Sequence, residues 1–237
     1  MLITNTEEKI IKKEMEKLKN RIVLTVFTDF ITNKSEKERR RTIESERVLG
    51  ILNKLEELSQ GKLNIKELSI KENQDKTEMY NIRNIPTIMF QSSENNNNNN
   101  NNKELIRYTA NLEGNQLIPF LKSVLYYSGV NPFYKDQIIT NLKNIKRSEI
   151  TLFISQTCAY CPQVIPIVNS FAIISNGKIK VEIIDVNAHP DIAMKHKISG
   201  VPHTIINKKK HLYGLFSPQD LLDNLTMGKR DFSGMYS

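Results

Sequence analysis

Cys158 and Cys161 are the only cysteines among 237 residues, and they stand in a C-x-x-C spacing. They directly follow the β-prone run Ile150-Thr151-Leu152-Phe153-Ile154. A C-x-x-C turn that opens a helix sets its first sulfur over unpaired backbone N–H groups and the positive end of the helix dipole. Both favour thiolate over thiol and lower the pKa from the free value of about 8.5. The second cysteine lies one turn along, near enough to close a short ring, and its own N–H can donate to the first sulfur. Attack on a disulfide then falls to Cys158 and resolution to Cys161. The expected Cα separation is about 4.4–6.8 Å.

The neighbours of the pair suit the same chemistry. Pro162 sits in the first helical turn, where a missing N–H costs nothing. Pro166 lies inside the helix and should kink it. No charged residue occurs from Ile150 to Gly177, so the rim around the disulfide is expected to be apolar and neutral, with Tyr160 as an exposed part of it. Such a rim can dock several protein partners. The same stretch is long enough to span a bilayer. Ser155, Gln156, Thr157, Gln163, Asn169, Ser170 and the two prolines argue instead for a strand, turn and helix buried in a soluble core. Pro202, at the entrance to a later strand, is expected to be cis, like Pro86. Val201 before it would offer backbone groups to an extended substrate chain.

Beyond the pair, the chain repeats a plan at a spacing near 128 residues. Each half opens with a helical pattern: Ile11, Met15 and Leu18 in the first, Ile138, Leu142 and Ile145 in the second. A β-rich run follows (Ile22–Phe27; Ile150–Ile154), then a long helix (about 37–59; about 159–175). A second strand comes next (Leu63–Leu68; Ile179–Asp185), then a short polar helix. Each half closes with an apolar-Pro-strand signal (N-I-P-T-I-M-F; G-V-P-H-T-I-I), a hairpin strand and a final helix. The β-α-β-α-β-β-α order implies a parallel pair with a right-handed crossover and an antiparallel hairpin. This is the thioredoxin plan. The expected fold is α/β, two tandem thioredoxin-like folds, each a mixed central sheet flanked by helices. S-G-V-N-P-F places the boundary between 1–128 and 129–237. Asn95–Asn102 interrupts the first hairpin and is expected to be a disordered loop.

Composition excludes several classes. With 39% hydrophobic and 25% charged residues the chain is not wholly disordered. Two cysteines cannot staple a secreted framework or fill a four-cysteine zinc site. The opening M-L-I-T-N-T-E-E-K lacks an apolar signal core, so a reducing, cytoplasmic compartment is expected. The net charge of +8 raises nucleic acid as a partner. No aromatics interleave the basic residues and no reader motif appears, so neither nucleic acid nor membrane is expected. Ser35–Arg41 reads as a solvated helix start. The histidines, His189, His196, His203 and His211, fall on a loop and different strands, and no metal site is expected. His203 beside Pro202 either biases the sulfur or, by strand alternation, faces away.

T-C-A-Y-C-P-Q-V, I-I-D-V-N-A-H-P-D-I-A and G-V-P-H-T-I-I-N resemble the redox-active domain of the tandem-thioredoxin-fold, glutaredoxin-like protein disulfide oxidoreductases. They are similar also to the N-terminal domain of the alkyl hydroperoxide reductase flavoprotein. The resemblance gives Cys158 the nucleophile role, Cys161 the resolving role and Pro202 the cis-proline role. It implies a thiol–disulfide oxidoreductase acting on protein disulfides. Its electrons would come from a thioredoxin-reductase-like flavoprotein, and a peroxiredoxin would be one acceptor. The departures are informative. The first half keeps Pro86 but has no cysteine; a gapless shift lays Phe30-Ile31-Thr32-Asn33 over the motif. No G-x-G-x-x-G occurs, and no cofactor is expected. Ala159 stands where the glutaredoxin-like pattern has Pro. Leu152 stands where thioredoxin has a buried acid, which leaves Glu182 as the candidate proton acceptor for Cys161. The alternatives are glutathione-dependent turnover, which the charge-free rim disfavours, and a client-binding, chaperone-like module.

Overall fold

The structure, a computed structural model, describes residues 4–32, 42–92 and 103–228. The expected asparagine loop, the basic run 35–41 and the expected start of the long first-half helix near residue 37 lie outside these residues. The first half runs α1 (Asn5–Met15), β1 (Ile22–Thr28), α2 (Ile43–Leu58), β2 (Leu63–Ser69), α3 (Gln74–Met79), β3 (Thr87–Ser92), β4 (Lys103–Thr109), a 3-10 turn Gly114–Gln116 and α4 (Leu117–Tyr127). The second runs α5 (Lys135–Thr140), β5 (Ser148–Ile154), α6 (Cys161–Ile174), β6 (Ile179–Asp185), α7 (Pro190–Lys195), β7 (His203–Ile206), β8 (Lys210–Tyr213) and α8 (Pro218–Thr226).

Local chemistry sets the boundaries. Thr4 and Glu7 form a capping box on α1, and Ser217 and Asp220 form one on α8, each satisfying orphan N–H groups of a first turn. Thr42 caps α2 by accepting from the Ser45 N–H at 3.3 Å, which starts the described helix at Ile43. The second half's opening helix is shorter than its periodicity suggests. It ends after Thr140, where Asn141 donates both its N–H, at 3.2 Å, and its side-chain amide, at 3.0 Å, to the Gln137 carbonyl. Ile138 and Ile145 are still buried, and Leu142 is half-buried.

The strands form one eight-stranded sheet in the order β2-β1-β3-β4-β6-β5-β7-β8. β1 pairs parallel with β2, and β5 with β6. β3 pairs antiparallel with β1 and β4, and β7 does so with β5 and β8. The halves join edge to edge: β4 pairs parallel with β6, in the register Ile106↔Val181, Arg107↔Glu182, Tyr108↔Ile183, Thr109↔Ile184. β1, β2, β4, β5 and β6 therefore all run the same way and end on one edge of the sheet.

Residues of α1, α2, α4, α5, α6 and α8 share one apolar cluster on one face, continuous across both halves. Ile11, Met15 and Leu18 are buried in it, as their spacing requires. On the other face Phe27, Leu68, Ile82 and Met89 form one smaller cluster, and Phe153, Ile184 and Ile205 another, against α7. The seam on the large face is closed by α4 against α6. There Asn169 donates to the Ser123 hydroxyl at 2.7 Å, and both residues are fully buried.

Ser123→Ala is expected to strand that amide. A buried polar group left unpaired costs about 1–3 kcal/mol, which lowers the melting temperature by roughly 2–4 °C per kcal/mol in a chain of this size. Adding Asn169→Leu should recover most of the loss. Thermal melts of the two variants beside the parent check this, and a neutral single variant would show that the pair does not hold the seam.

Candidate active site

β5 delivers the chain to the common edge of the sheet, and the turn after it carries the cysteines. The Cys158 N–H donates to the Ser155 carbonyl at 3.2 Å, closing the turn. Tyr160 takes the N-cap position of α6 without a side-chain cap bond, and the helix begins at Cys161 with Pro162 in its first turn. Pro166 is accommodated inside a helix that continues to Ile174. Cys158 and Cys161 form a disulfide with a Cα separation of 5.5 Å, inside the expected range. The Cys161 N–H donates to Cys158 Sγ at 3.0 Å. Cys158 is 8% exposed and Cys161 fully buried. Cys158 is thus the less enclosed of the two, and a helix-terminal N–H is aimed at its sulfur.

Tyr160 beside the pair is 58% exposed. β7 begins with His203 opposite Phe153 of β5, so Val201 and Pro202 lie on the same edge as the cysteine turn. Val201 is half-buried between the large cluster and the one under α7. The peptide bonds before Pro202 and Pro86 are both cis.

Two other candidates lie elsewhere. His203 is buried on the opposite face, against Phe153, His211 and Tyr213, and its ring meets His211 at 2.8 Å. Burial, then the neighbouring His211 and His196, hold its pKa below the usual range. Strand alternation sends it away from the sulfurs. Glu182 is likewise misplaced as a proton acceptor. It pairs in register with Thr151 and Arg107, one position out of phase with Val181 and Ile183, which pack in the cluster that holds the cysteines. Burial raises its pKa, opposed by the Arg107 charge, on the face the disulfide does not share.

Three buried polar residues near the cysteine turn carry no signal that the motif search would catch. Gln116 donates to the Ser155 carbonyl at 2.6 Å, the same carbonyl that accepts from Cys158. Asp185 ends β6 opposite Ile154 and is fully buried. Tyr108 of β4 is fully buried on the same face. A period-2 phase was the available sign for Asp185: Val181, Ile183 and Asp185 alternate onto the core face. For Gln116 and Tyr108 no local sign exists.

The first half is arranged differently after its first strand. Phe27 pairs with Thr87 as Phe153 pairs with His203, an offset of 153 − 27 = 126 along the first strand, so the gapless shift of 128 is two residues out there. Neither offset carries into the turn, because 14 residues separate β1 from α2 and six separate β5 from α6. The Thr32 N–H and hydroxyl both donate to the Glu72 carboxylate, at 2.5 and 3.3 Å.

Among the described residues no cluster of His, Cys, Asp and Glu is arranged to hold a metal ion, and no helix is long and apolar enough to cross a membrane.

The double β-α-β-α-β-β-α order and the single cysteine pair define a tandem thioredoxin fold with one disulfide site. Residues 148–226 match the family model of the thioredoxin domain. The alkylhydroperoxide reductase AhpF from Enterococcus faecalis (V583), solved as a mutant, superposes with TM-score 0.75 at 17% identity, over 95% of this chain and 100% of that one. A protein disulfide oxidoreductase from Aeropyrum pernix K1 gives 0.72 at 18% identity, over 94% and 92%. At these identities the likeness is one of fold. No curated protein sequence matches. A thioredoxin domain whose C-x-x-C pair closes a disulfide at a helix start is the arrangement of a thiol–disulfide oxidoreductase.

In the reduced protein the Cys158 thiol is expected to titrate below the free value of about 8.5, followed by thiolate absorbance in the far ultraviolet. Iodoacetamide at neutral pH should label Cys158 alone, with Cys161 reacting only after unfolding. Equal labelling of both in the folded protein, read by peptide mass, would contradict the asymmetry.

Proposed function

We propose that this protein is a cytoplasmic thiol–disulfide oxidoreductase that reduces protein disulfides, with Cys158 as nucleophile and Cys161 as resolving thiol. The observation that carries it is the pairing of the less enclosed Cys158 sulfur with the Cys161 N–H at the start of α6. The Cys158 thiolate attacks a target disulfide, forms a mixed disulfide and releases one target thiolate. Cys161 then attacks Cys158 Sγ, the bond to the target breaks, and the second target thiolate leaves. Two electrons pass from the dithiol to the target. Val201, Pro202 and Tyr160 form the rim on which an extended target segment lies, using backbone groups and apolar contact rather than charge.

The electron source we propose is a thioredoxin-reductase-like flavoprotein, and a peroxiredoxin is one acceptor. The fold likeness to the alkylhydroperoxide reductase AhpF supports this pairing. The direction is set by the reduction potential: a reductant sits near about −270 mV and an oxidant near about −120 mV. Equilibration with glutathione buffers measures it.

Cys158→Ser is expected to lower insulin-disulfide reduction by at least about 100-fold, since it removes the nucleophile. Cys161→Ser should retain attack and accumulate a mixed disulfide visible on non-reducing gels. Retained turnover in Cys158→Ser would overturn the assignment.

We further propose that residues 129–237 carry the chemistry and 1–128, redox-inactive, brace it. Without β4 the parallel edge of β6 loses its partner. Residues 129–237 alone should still close the disulfide and reduce a small model disulfide. They should melt at lower temperature and turn over a protein partner more slowly than the full chain. Equal melting and equal turnover would remove the brace.

A further inference from the structure

The Cys161 thiol must lose a proton before it can resolve a mixed disulfide. The charge-free run from Ile150 to Gly177 offers no base, and Glu182 lies on the wrong face. The seam between the halves offers one. Tyr108 Oη, Gln116 Oε1 and Asp185 Oδ2 are all buried and have no hydrogen-bond partner. Buried polar atoms are nearly always paired, so three unpaired ones in one region need a reason.

Their placement supplies it. Asp185 lies opposite Ile154, and the Val186 N–H donates to the Ile154 carbonyl at 2.9 Å. The next residue, Ser155, accepts from both Gln116 and Cys158. Tyr108 lies one strand over on the same face, close enough for its charge and that of Asp185 to interact. α6, which begins at Cys161, packs against β4, β6 and the 3-10 turn that carries Gln116. The carboxyl, the phenol and the amide thus surround the end of β6 beneath the start of α6.

We propose that Asp185, enclosed by Tyr108 and Gln116 from the first half, holds the proton that moves on and off Cys161 during exchange, through at most one bridging water. This rests on the oxidoreductase reading above. In the resolving step the Asp185 carboxylate takes the proton from Cys161 Sγ. Cys161 Sγ bonds to Cys158 Sγ, and the bond from Cys158 to the target breaks. The target sulfur leaves with the electron pair as thiolate, and Asp185 returns its proton to that thiolate through water. One disulfide replaces another, and no outside oxidant is needed.

The electrostatics suit this task. Burial pushes the Asp185 carboxyl above the usual range, opposed by the Asn187 and Ala188 N–H groups and by His189. Burial, then the Asp185 charge, hold the Tyr108 hydroxyl far above its own usual range, so it stays neutral. The titratable groups that act on Asp185 are Tyr108 from β4 and His189 after β6. β5 from Ile150 onward and α6 carry no charge, and Lys122, the charged residue of α4, is exposed. A carboxyl with a raised folded pKa binds its proton more tightly than the unfolded chain does. Its effect on stability is nil well below the unfolded value of about 3.9, turns unfavourable as pH rises past that value and is complete above the folded one.

The test is Asp185→Asn in the full chain, with single-turnover kinetics from pH 5 to 9. Formation of the Cys158 mixed disulfide should be unchanged, while its resolution slows by about 100-fold near neutral pH, the scale of a lost general base. The variant should melt higher than the parent at pH 8 and equally at pH 3. Resolution with the parent's rate and pH profile would overturn the proposal. Carboxyl carbon NMR of the parent guards against a misfolded variant. The Asp185 midpoint should differ between the disulfide and dithiol forms, and an identical midpoint would also overturn it. A parent chain that reduces no disulfide at all would instead defeat the oxidoreductase reading.

Discussion

The parallel pairing of β4 with β6 is the constraint on which the other features depend. A thioredoxin-like half ends its sheet in open edges, and parallel strands are stable where both faces are covered. Here the hairpin strand that closes the first half lies against the strand that edges the second, and α4 and α6 cover the joint. Running β4 with β6 fixes the direction of every parallel strand. The cysteine turn after β5, the turn after β1 and the entrances to β3 and β7 therefore share one edge. The same pairing sets Tyr108 beside Ile183, and the turn that follows β4 carries Gln116 to the Ser155 carbonyl. The cysteine-free half thus reaches the backbone of the cysteine turn itself.

The site depends on asymmetry between two sulfurs of the same chemical kind. One is 8% exposed with a helix N–H aimed at it; the other is fully buried in the first turn of the helix that supplies that N–H. Burial and that N–H distinguish the two sulfurs. The chain's net charge of +8 resides elsewhere, since the run from 150 to 177 has none. Neutrality at the rim suits contact with partners of differing charge. It also leaves this run without a carboxylate of its own.

The first half has a longer turn where the second half has its cysteines, 14 residues between β1 and α2 against six between β5 and α6. Early in it Thr32 is held through its N–H and hydroxyl by Glu72, and Pro86 remains at the head of β3. A hydroxyl in such a bond fixes a turn but exchanges no electrons. The architecture persists because strands, helices and proline are held by packing that does not involve the sulfur chemistry.

Much of this was legible along the chain. The C-x-x-C pair, the strand before it, the two prolines and the doubled element order are local signals, because hydrogen bonding and packing within a few residues decide them. Strand periodicity also contained the phase that buries Asp185, though Glu182 drew attention first as the nearer-looking acid. Alternation settles that choice against Glu182, and sends His203 to the far face. What the chain did not disclose is the seam. Whether β4 would meet β6, and whether the halves would join through their sheets or through their opening helices, depends on edges far apart in the chain. No local preference distinguishes one open edge from another; only the fit of α4 on α6, with the buried bond between Asn169 and Ser123, selects this joint. The sequence by itself determined two thioredoxin-like halves and one pair of reactive sulfurs. Tertiary structure decided that the sulfur-free half closes over the other's redox turn, because long-range strand pairing, not local propensity, brought Tyr108 and Gln116 there.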